Sequence, residues 1–344
     1  MDIALLDKKI EQYCAEKHVT CVVRVTIKDK IVYEKPVGYA DNEKKIPFTN
    51  NSVFTFYSMT KQLTTFGIMK LKDKGLLSLS DHPSKYVPEA KKLNKNITIE
   101  NLLRHESGIP DFLFEKSFAE KYAPGTPDKI REHLSLISEY PQYFEPKKGF
   151  RYSNVNFSIC ALIIETLSGK AFKDYMKEEV FEPLGMKTAL VDEVGLFVEN
   201  RVMGHAVIDG EFKAVGKSLN WMFGAGDVIG TIDDVYCLNK AIKNKLLVSE
   251  ESWKEILTGS PLSDMGMGCY LSDWHGKFCV SHTGGHVGFR LYHAQVLQDD
   301  FDWIIMSNSE SPTSRHDISE IIHEFFYGED GKDQKRLAMD AGYI

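Results

Sequence analysis

The sequence is short of several things, and each shortage removes a class of function. It has no surplus of basic residues: 42 Lys and Arg stand against 49 Asp and Glu, a formal net charge of −7. A chain of that sign offers no electrostatic footprint for nucleic acid and no polybasic patch for an anionic membrane. No apolar run approaches the ~20 residues that a membrane-spanning helix needs. Met1 to His18 reads as an amphipathic helix with scattered charges, without the basic start and apolar middle of a secretory leader. Cysteine is sparse, and Cys14, Cys21, Cys160, Cys237, Cys269 and Cys279 contain no C-x-x-C pair. Free thiols in a reducing compartment are therefore expected. A cytoplasmic location is the default expectation, with export as the alternative if the sequence has been trimmed. There are no repeats and no low-complexity tracts. The absence of H-E-x-x-H and G-x-S-x-G disfavours a zincin site and an α/β-hydrolase elbow, and no metal or cofactor is expected.

What is present suffices for a large core: 344 residues, 43% of them apolar. Strand-like runs at Cys21–Ile27 and Ile31–Tyr39, joined at Lys28-Asp29-Lys30, read as a hairpin. From about Leu77 to Leu247 the pattern is mostly helix and loop, with helices at Ile99–His105, Val155–Leu167, Glu178–Leu184 and Ile232–Ile242. Strand signals return at Gly266–Ser272, Lys277–Ser281, Arg290–Leu297 and Trp303–Ser307, spaced as an antiparallel meander. A last amphipathic helix, Asp317–Tyr327, would cover one sheet face. The predicted fold is α+β: an antiparallel sheet built from both chain ends, flanked by helices, with an inserted mostly helical lobe. Residues 1–62 and 245–328 would form the sheet lobe, 63–244 the inserted lobe and 329–344 a loose tail. The seam between lobes is the natural place for a cleft.

The rest is arranged around Ser58-Met59-Thr60-Lys61. An extended segment with Phe54, Phe56 and Tyr57 gives way there to a helical pattern that Gly75 closes. Residues three apart on a helix share a face, so the Ser58 hydroxyl and the Lys61 amine would point into one space. An ordinary helix cap would carry an acid or Gln three positions on; a lysine has the wrong sign for the helix dipole. A serine beside a lysine of lowered pKa is instead an activated nucleophile. Two further clusters follow. Tyr152-Ser153-Asn154 precedes an apolar helix, where Ser153 or Asn154 would serve as a cap but Tyr152 has no such use. A tyrosinate near neutrality would need its pKa lowered by about two to three units, with Lys61 the supplier of charge. His282-Thr283-Gly284-Gly285 ends a strand, either as a plain hairpin turn or as a place where a substrate comes close to the backbone.

In this order the S-x-x-K, Y-x-N and H-T-G clusters resemble the serine β-lactamase and penicillin-binding family, in its class C β-lactamase and D-alanyl-D-alanine carboxypeptidase branch. The stretch Asn101 to Pro110, the run Glu182-Pro183-Leu184-Gly185-Met186, the Gly224–Gly226 loop and Met306-Ser307-Asn308-Ser309 are also similar, so that the likeness spans about residues 5–327. The resemblance implies that Ser58 attacks a carbonyl and forms an acyl-enzyme, with Lys61 and Tyr152 moving its proton. It implies that Asn154 holds Lys61 and the substrate amide, and that the N–H groups of Ser58 and Gly285 form an oxyanion hole. Thr283 and Gly284 would line a docking edge.

One departure matters: His282 stands where most such β-lactamases carry a lysine, so a fixed charge for a drug's carboxylate is missing. Arg290 could restore a cation, or be an ordinary salt-bridged arginine. Trp221 and Phe223 could wall the pocket, and core packing explains them equally well. The expected function is a serine hydrolase acting through an acyl-enzyme on a small ester, amide or D-amino-acid peptide. The alternatives are a penicillin-binding D,D-carboxypeptidase or class C-like β-lactamase, and a catalytically inactive binding or sensing homologue. A small-molecule or peptide partner is expected, with no nucleic acid and no membrane span; the oligomeric state is open.

Overall fold

In the computed structural model, residues 2–111, 127–137, 140–193, 195–208, 211–216, 222–286, 288–311 and 313–328 are described. The chain opens with helix α1 (Ile3–Lys17) and the hairpin β1 (Cys21–Ile27) and β2 (Lys30–Val37). Helix α2 (Thr60–Asp73), α3 (Asn154–Ser168) and α4 (Ile232–Lys243) follow. Strands β3 (Tyr270–Trp274), β4 (Lys277–His286), β5 (Phe289–Val296) and β6 (Phe301–Ser307) then lead into α5 (Ser314–Tyr327). The main sheet has six strands in the order β3-β4-β5-β6-β1-β2. Its two halves join where β6 pairs antiparallel with β1, from Cys21↔Ser307 to Ile27↔Phe301, so both chain ends build one sheet.

Both faces of that sheet are covered, which is why β6 is buried along its whole length. On one face α1 and α5 bring Leu6, Ile10, Ile318 and Ile322 against Val23, Val25 and Trp303. On the other, a larger core gathers Leu63, Phe66 and Met69 of α2 with Ile163, Ile164 and Phe157 of α3. Helix α3 is apolar nearly all round because it lies inside this core, as a helix without a solvent face must.

Two expectations need correction. The segment between Leu77 and Leu247 is not only helix and loop. Strands at Gly204–Ile208 and Glu211–Gly216 pair antiparallel, and Val228–Gly230 pairs with both Phe54–Thr55 and Leu190–Val191. The first pair was signalled in the sequence by Asp209-Gly210, a dipeptide suited to hairpin turns, lying between them. The second correction bears on the site. Strand β4 does not end at Ser281; it runs through the glycines to His286, with Gly284↔Leu291 and Gly285↔Arg290 in register on β5. Its other neighbour, β3, stops at Tyr270↔Ser281. From His282 onward one edge of β4 therefore has no strand partner among the described residues.

Candidate active site

The approach to α2 is built under constraint. Phe54 and Thr55 pair with Gly230 and Ile229, and the Phe56 N–H donates to the Val228 carbonyl at 2.8 Å. Tyr57 then takes φ 47°, a left-handed conformation that side-chain-bearing residues rarely adopt. Its ring is buried, stacked on His286 at 6.0 Å and tilted against Phe289 at 5.6 Å, which holds it there. Backbone strain of this kind is concentrated at functional positions. A single 3₁₀ turn, Tyr57–Met59, leads into α2 and carries Ser58. In such a first turn the backbone N–H groups have no acceptor within the helix.

Ser58 is 1% exposed and Lys61 wholly buried. The Lys61 Nζ lies 3.1 Å from Ser58 Oγ, 2.8 Å from Asn154 Oδ1 and 2.7 Å from the Ala225 carbonyl. The Ala225 acceptor is placed by the Gly224–Asp227 loop, which α2 grips through Thr64 Oγ1 to the Gly224 carbonyl at 2.7 Å. Gly224 has φ +67° and lies where a Cβ would come within 2.4 Å of Ala161 Cβ, so only glycine lets the loop close on α3. Burial lowers the Lys61 pKa to about 7, against an opposing pull from Asp111 and Asp227. Desolvation wins that contest by an amount on the order of 5 kcal/mol at ~1.4 kcal/mol per unit. Asp227 is itself buried, and burial raises it to about 7.

The second cluster arrives on the start of α3. The Lys61 ammonium group stands 4.8 Å from the centroid of the Tyr152 ring, and the Phe157 ring lies on it at 5.7 Å. On another side Tyr152 stacks on His105, centroids 4.2 Å apart. The Ser153 N–H donates to His105 Nδ1 at 3.0 Å, so the neutral imidazole carries its proton on Nε2. Burial, then the charge of Lys61, hold His105 well below its ordinary pKa. Ser153 occupies the cap position of α3 but makes no side-chain cap bond. The expected local cap is replaced by Asp111, whose Oδ2 accepts from the Asn154 backbone N–H and from Asn154 Nδ2, the latter at 2.9 Å.

The third cluster comes from β4. Gly284 faces the Phe56 carbonyl so closely that a Cβ would sit 2.2 Å from that oxygen. The glycine is what lets β4 draw alongside the segment that carries Ser58. His282, two residues earlier, shares that face. It is wholly buried, and its Nδ1 lies 2.6 Å from the Thr283 carbonyl, which makes Nδ1 the protonated nitrogen and leaves a lone pair on Nε2. Burial, followed by the charge of Lys61, pushes its pKa well below the ordinary 6.5. An activity limb near 6.5 from His282 is thus not to be expected, because its ring stays neutral there. Thr283 and Gly285 project to the opposite face, where Arg315 Nη1 donates to the Gly284 carbonyl at 3.4 Å.

Of the residues singled out by sequence, Ser58, Lys61, Tyr152, Asn154 and His282 are brought together, with Gly284 and Gly285 alongside. Arg290 is not presented to the site as a free cation. Its Nη1 donates to the His286 and Phe289 carbonyls, both at 2.7 Å, and Nη2 lies 3.5 Å from Glu310. Trp221 lies outside the described residues. Phe223 meets the Phe172 ring edge-on, centroids 5.3 Å apart, which is core packing. His105, Asp111 and the Ala225 carbonyl were missed. Neither side chain stood in a periodic pattern with its eventual partner, and a backbone acceptor leaves no mark in a sequence.

A family model named Beta-lactamase matches residues 6–324. The chain belongs to that family. It is 26% identical to penicillin-binding protein 4* of Bacillus subtilis (strain 168), over 90% of this chain and 74% of that protein. Its fold is that of the octameric penicillin-binding protein homologue from Pyrococcus abyssi, with TM-score 0.83 and 23% identity, covering 94% of this chain and 78% of that one. The D-amino acid amidase from Ochrobactrum anthropi SV3 shares it too, with TM-score 0.79 and 20% identity over 93% and 97% of the two chains. The β-lactamase/transpeptidase-like architecture expected from the three clusters is therefore the one found, and members of this family are usually serine hydrolases. Among the described residues no single helix is long and apolar enough to cross a membrane.

Proposed function

We propose that the protein is a serine acyl hydrolase in which neutral Lys61 is the base that activates Ser58. The observation that carries this reading is the way the amine is surrounded. A neutral amine has two N–H donors and one lone pair. Asn154 Oδ1 and the Ala225 carbonyl have no proton to give, so they take the two donors. The lone pair is left for the third neighbour, the Ser58 hydroxyl at 3.1 Å. With its pKa near 7, about half of Lys61 is in this form at neutral pH.

Ser58 Oγ then bonds to a substrate carbonyl carbon while its proton passes to Lys61. The carbonyl oxygen becomes an oxyanion, received by the backbone N–H groups of Ser58 and Gly285; one such donor is worth about a hundred- to thousandfold in rate. Collapse breaks the bond to the leaving alcohol or amine, which takes the proton back from Lys61, with the Tyr152 hydroxyl sharing the transfer. Water repeats the sequence on the acyl-enzyme and frees the acid.

Substrate class follows from charge. The site presents a neutral His282 with a lone pair on Nε2, and Arg290 is tied to carbonyls and Glu310. An acyl donor with no carboxylate beside the scissile bond suits that surface, as a simple ester or an amino-acid amide does; the amidase of like fold supplies the test compound. The relative named as a penicillin-binding protein favours a second reading, a penicillin-acylated D,D-carboxypeptidase. One experiment separates them: p-nitrophenyl esters, D-amino acid amides, a fluorescent penicillin and a fluorophosphonate, with the labelled residue found by mass spectrometry. Ester or amide turnover with the label on Ser58 supports the hydrolase; a long-lived penicillin adduct on Ser58 supports the second reading. Absence of both label and turnover leaves neither standing.

A further inference from the structure

Asp111 belongs to none of the three clusters and is wholly buried. A carboxylate in that position is costly unless it is used, since burial of an unpaired charge opposes folding. Its Oδ2 takes two bonds from one residue, the backbone N–H of Asn154 and Asn154 Nδ2 at 2.9 Å. The first supplies the cap that the start of α3 does not make locally. The second fixes the sense of the Asn154 amide: with Nδ2 committed to Asp111, Oδ1 must face Lys61 Nζ, where it lies at 2.8 Å. A flipped amide would present N–H to N–H and free the lysine lone pair to point elsewhere.

We propose that Asp111 is the positioning residue of the site, acting through Asn154 to aim Lys61 at Ser58 and, through its charge, to set the pH at which Lys61 loses its proton. The inference rests on the reading of Lys61 as the base. The groups that face Lys61 are Asp111, Asp227 of the Gly224–Asp227 loop, Tyr152, His105 and His282. Both histidines are held neutral by burial, and of the carboxylates that raise the Lys61 pKa Asp111 has the larger pull and is the one bonded to the Asn154 amide.

The arrangement parallels a nucleophile–base–orienter chain, with an amide inserted between base and acid. Asp111→Asn keeps an acceptor of the same shape and removes the charge. Asp111→Ala removes both. Wild-type labelling at Ser58 by fluorophosphonate is measured first, and its failure would count against the hydrolase reading itself. With that label secured, pH profiles of kcat and kcat/KM for a p-nitrophenyl ester are compared, and thermal melts report folding.

In Asp111→Asn the acidic limb should move to lower pH by about one unit, because loss of a nearby opposite charge disfavours the ammonium. In Asp111→Ala the plateau of kcat should fall by about 10- to 100-fold with KM held within about threefold, the cost of a misaimed base. A limb that stays in place in Asp111→Asn overturns the proposal. So does a loss in Asp111→Ala that appears wholly in KM, or an Asp111→Asn protein that is unfolded at the assay temperature, since the carboxylate would then serve the fold at large.

Discussion

Two segments of this chain share a spacing and part company in everything else. Thr231-Ile232-Asp233-Asp234 at the start of α4 and Ser58-Met59-Thr60-Lys61 at the start of α2 each put an ionisable side chain three positions after a hydroxyl. At α4 the Asp234 Oδ2 accepts from the Thr231 N–H at 2.8 Å and from Thr231 Oγ1 at 3.1 Å. An anion sits where the helix dipole is positive, and the segment is at rest. At α2 a cation occupies the matching place, and besides the Ser58 hydroxyl its partners come from α3 and the Gly224–Asp227 loop. The first segment spends its ionisable group on stability. The second gives stability up and holds a base of lowered pKa beside a hydroxyl.

Substitutions at the two starts should therefore fail in opposite ways. The largest effect is expected from Ser58→Ala, which should cut ester turnover by at least about 10⁴-fold while the melting temperature barely moves. Lys61→Met should lower turnover by about 10²- to 10⁴-fold, the usual worth of a general base. It should also raise stability below about pH 7, since it removes an amine whose charged form burial penalises. The sign in pH follows from linkage. Unfolded Lys61 keeps its proton to about 10.5 and folded Lys61 only to about 7, so the wild type gains stability as pH rises through that window. The advantage of Lys61→Met over wild type should be greatest below pH 7 and fade above it, as paired thermal melts would record. At α4 the pattern inverts: Asp234→Ala should lose about 1 kcal/mol and keep turnover within about twofold. If Asp234→Ala stopped catalysis, or Lys61→Met destabilised, the contrast would collapse.

How far such differences can be read from a sequence depends on where the partners come from. The Ser58–Lys61 pair was legible because residues three apart on a helix meet whatever the rest of the chain does. The meander of β3 to β6 and the terminal hairpin were legible from alternation and turn residues. Asp111 was not, because its partner Asn154 is 43 residues away and chosen by the fold. The extent of β4 was misread for a related reason. Gly284 and Gly285 look like a strand end, and only the close approach of the Phe56 carbonyl explains why a strand should carry glycine there.

Smaller effects sharpen the comparison. Gly284→Ala places a methyl 2.2 Å from the Phe56 carbonyl oxygen, so either β4 or the approach to Ser58 must shift. Overpacking of that kind costs about 1–3 kcal/mol and should also lower turnover, measured as kcat together with the melt. Arg290→Ala should be nearly silent toward neutral esters, with kcat/KM within about twofold, because its guanidinium is engaged by carbonyls and Glu310.

The central claim is that an uncharged lysine, held by two carbonyl oxygens, draws the proton from Ser58. Its most direct test is the rate of covalent labelling of Ser58 by a fluorophosphonate across pH 5 to 10, with the site confirmed by mass spectrometry. The account predicts a rate that rises with pH through a single limb near 7 and levels off above it. Labelling that is flat across that range, or that climbs only near the ordinary lysine value of about 10.4, would contradict it.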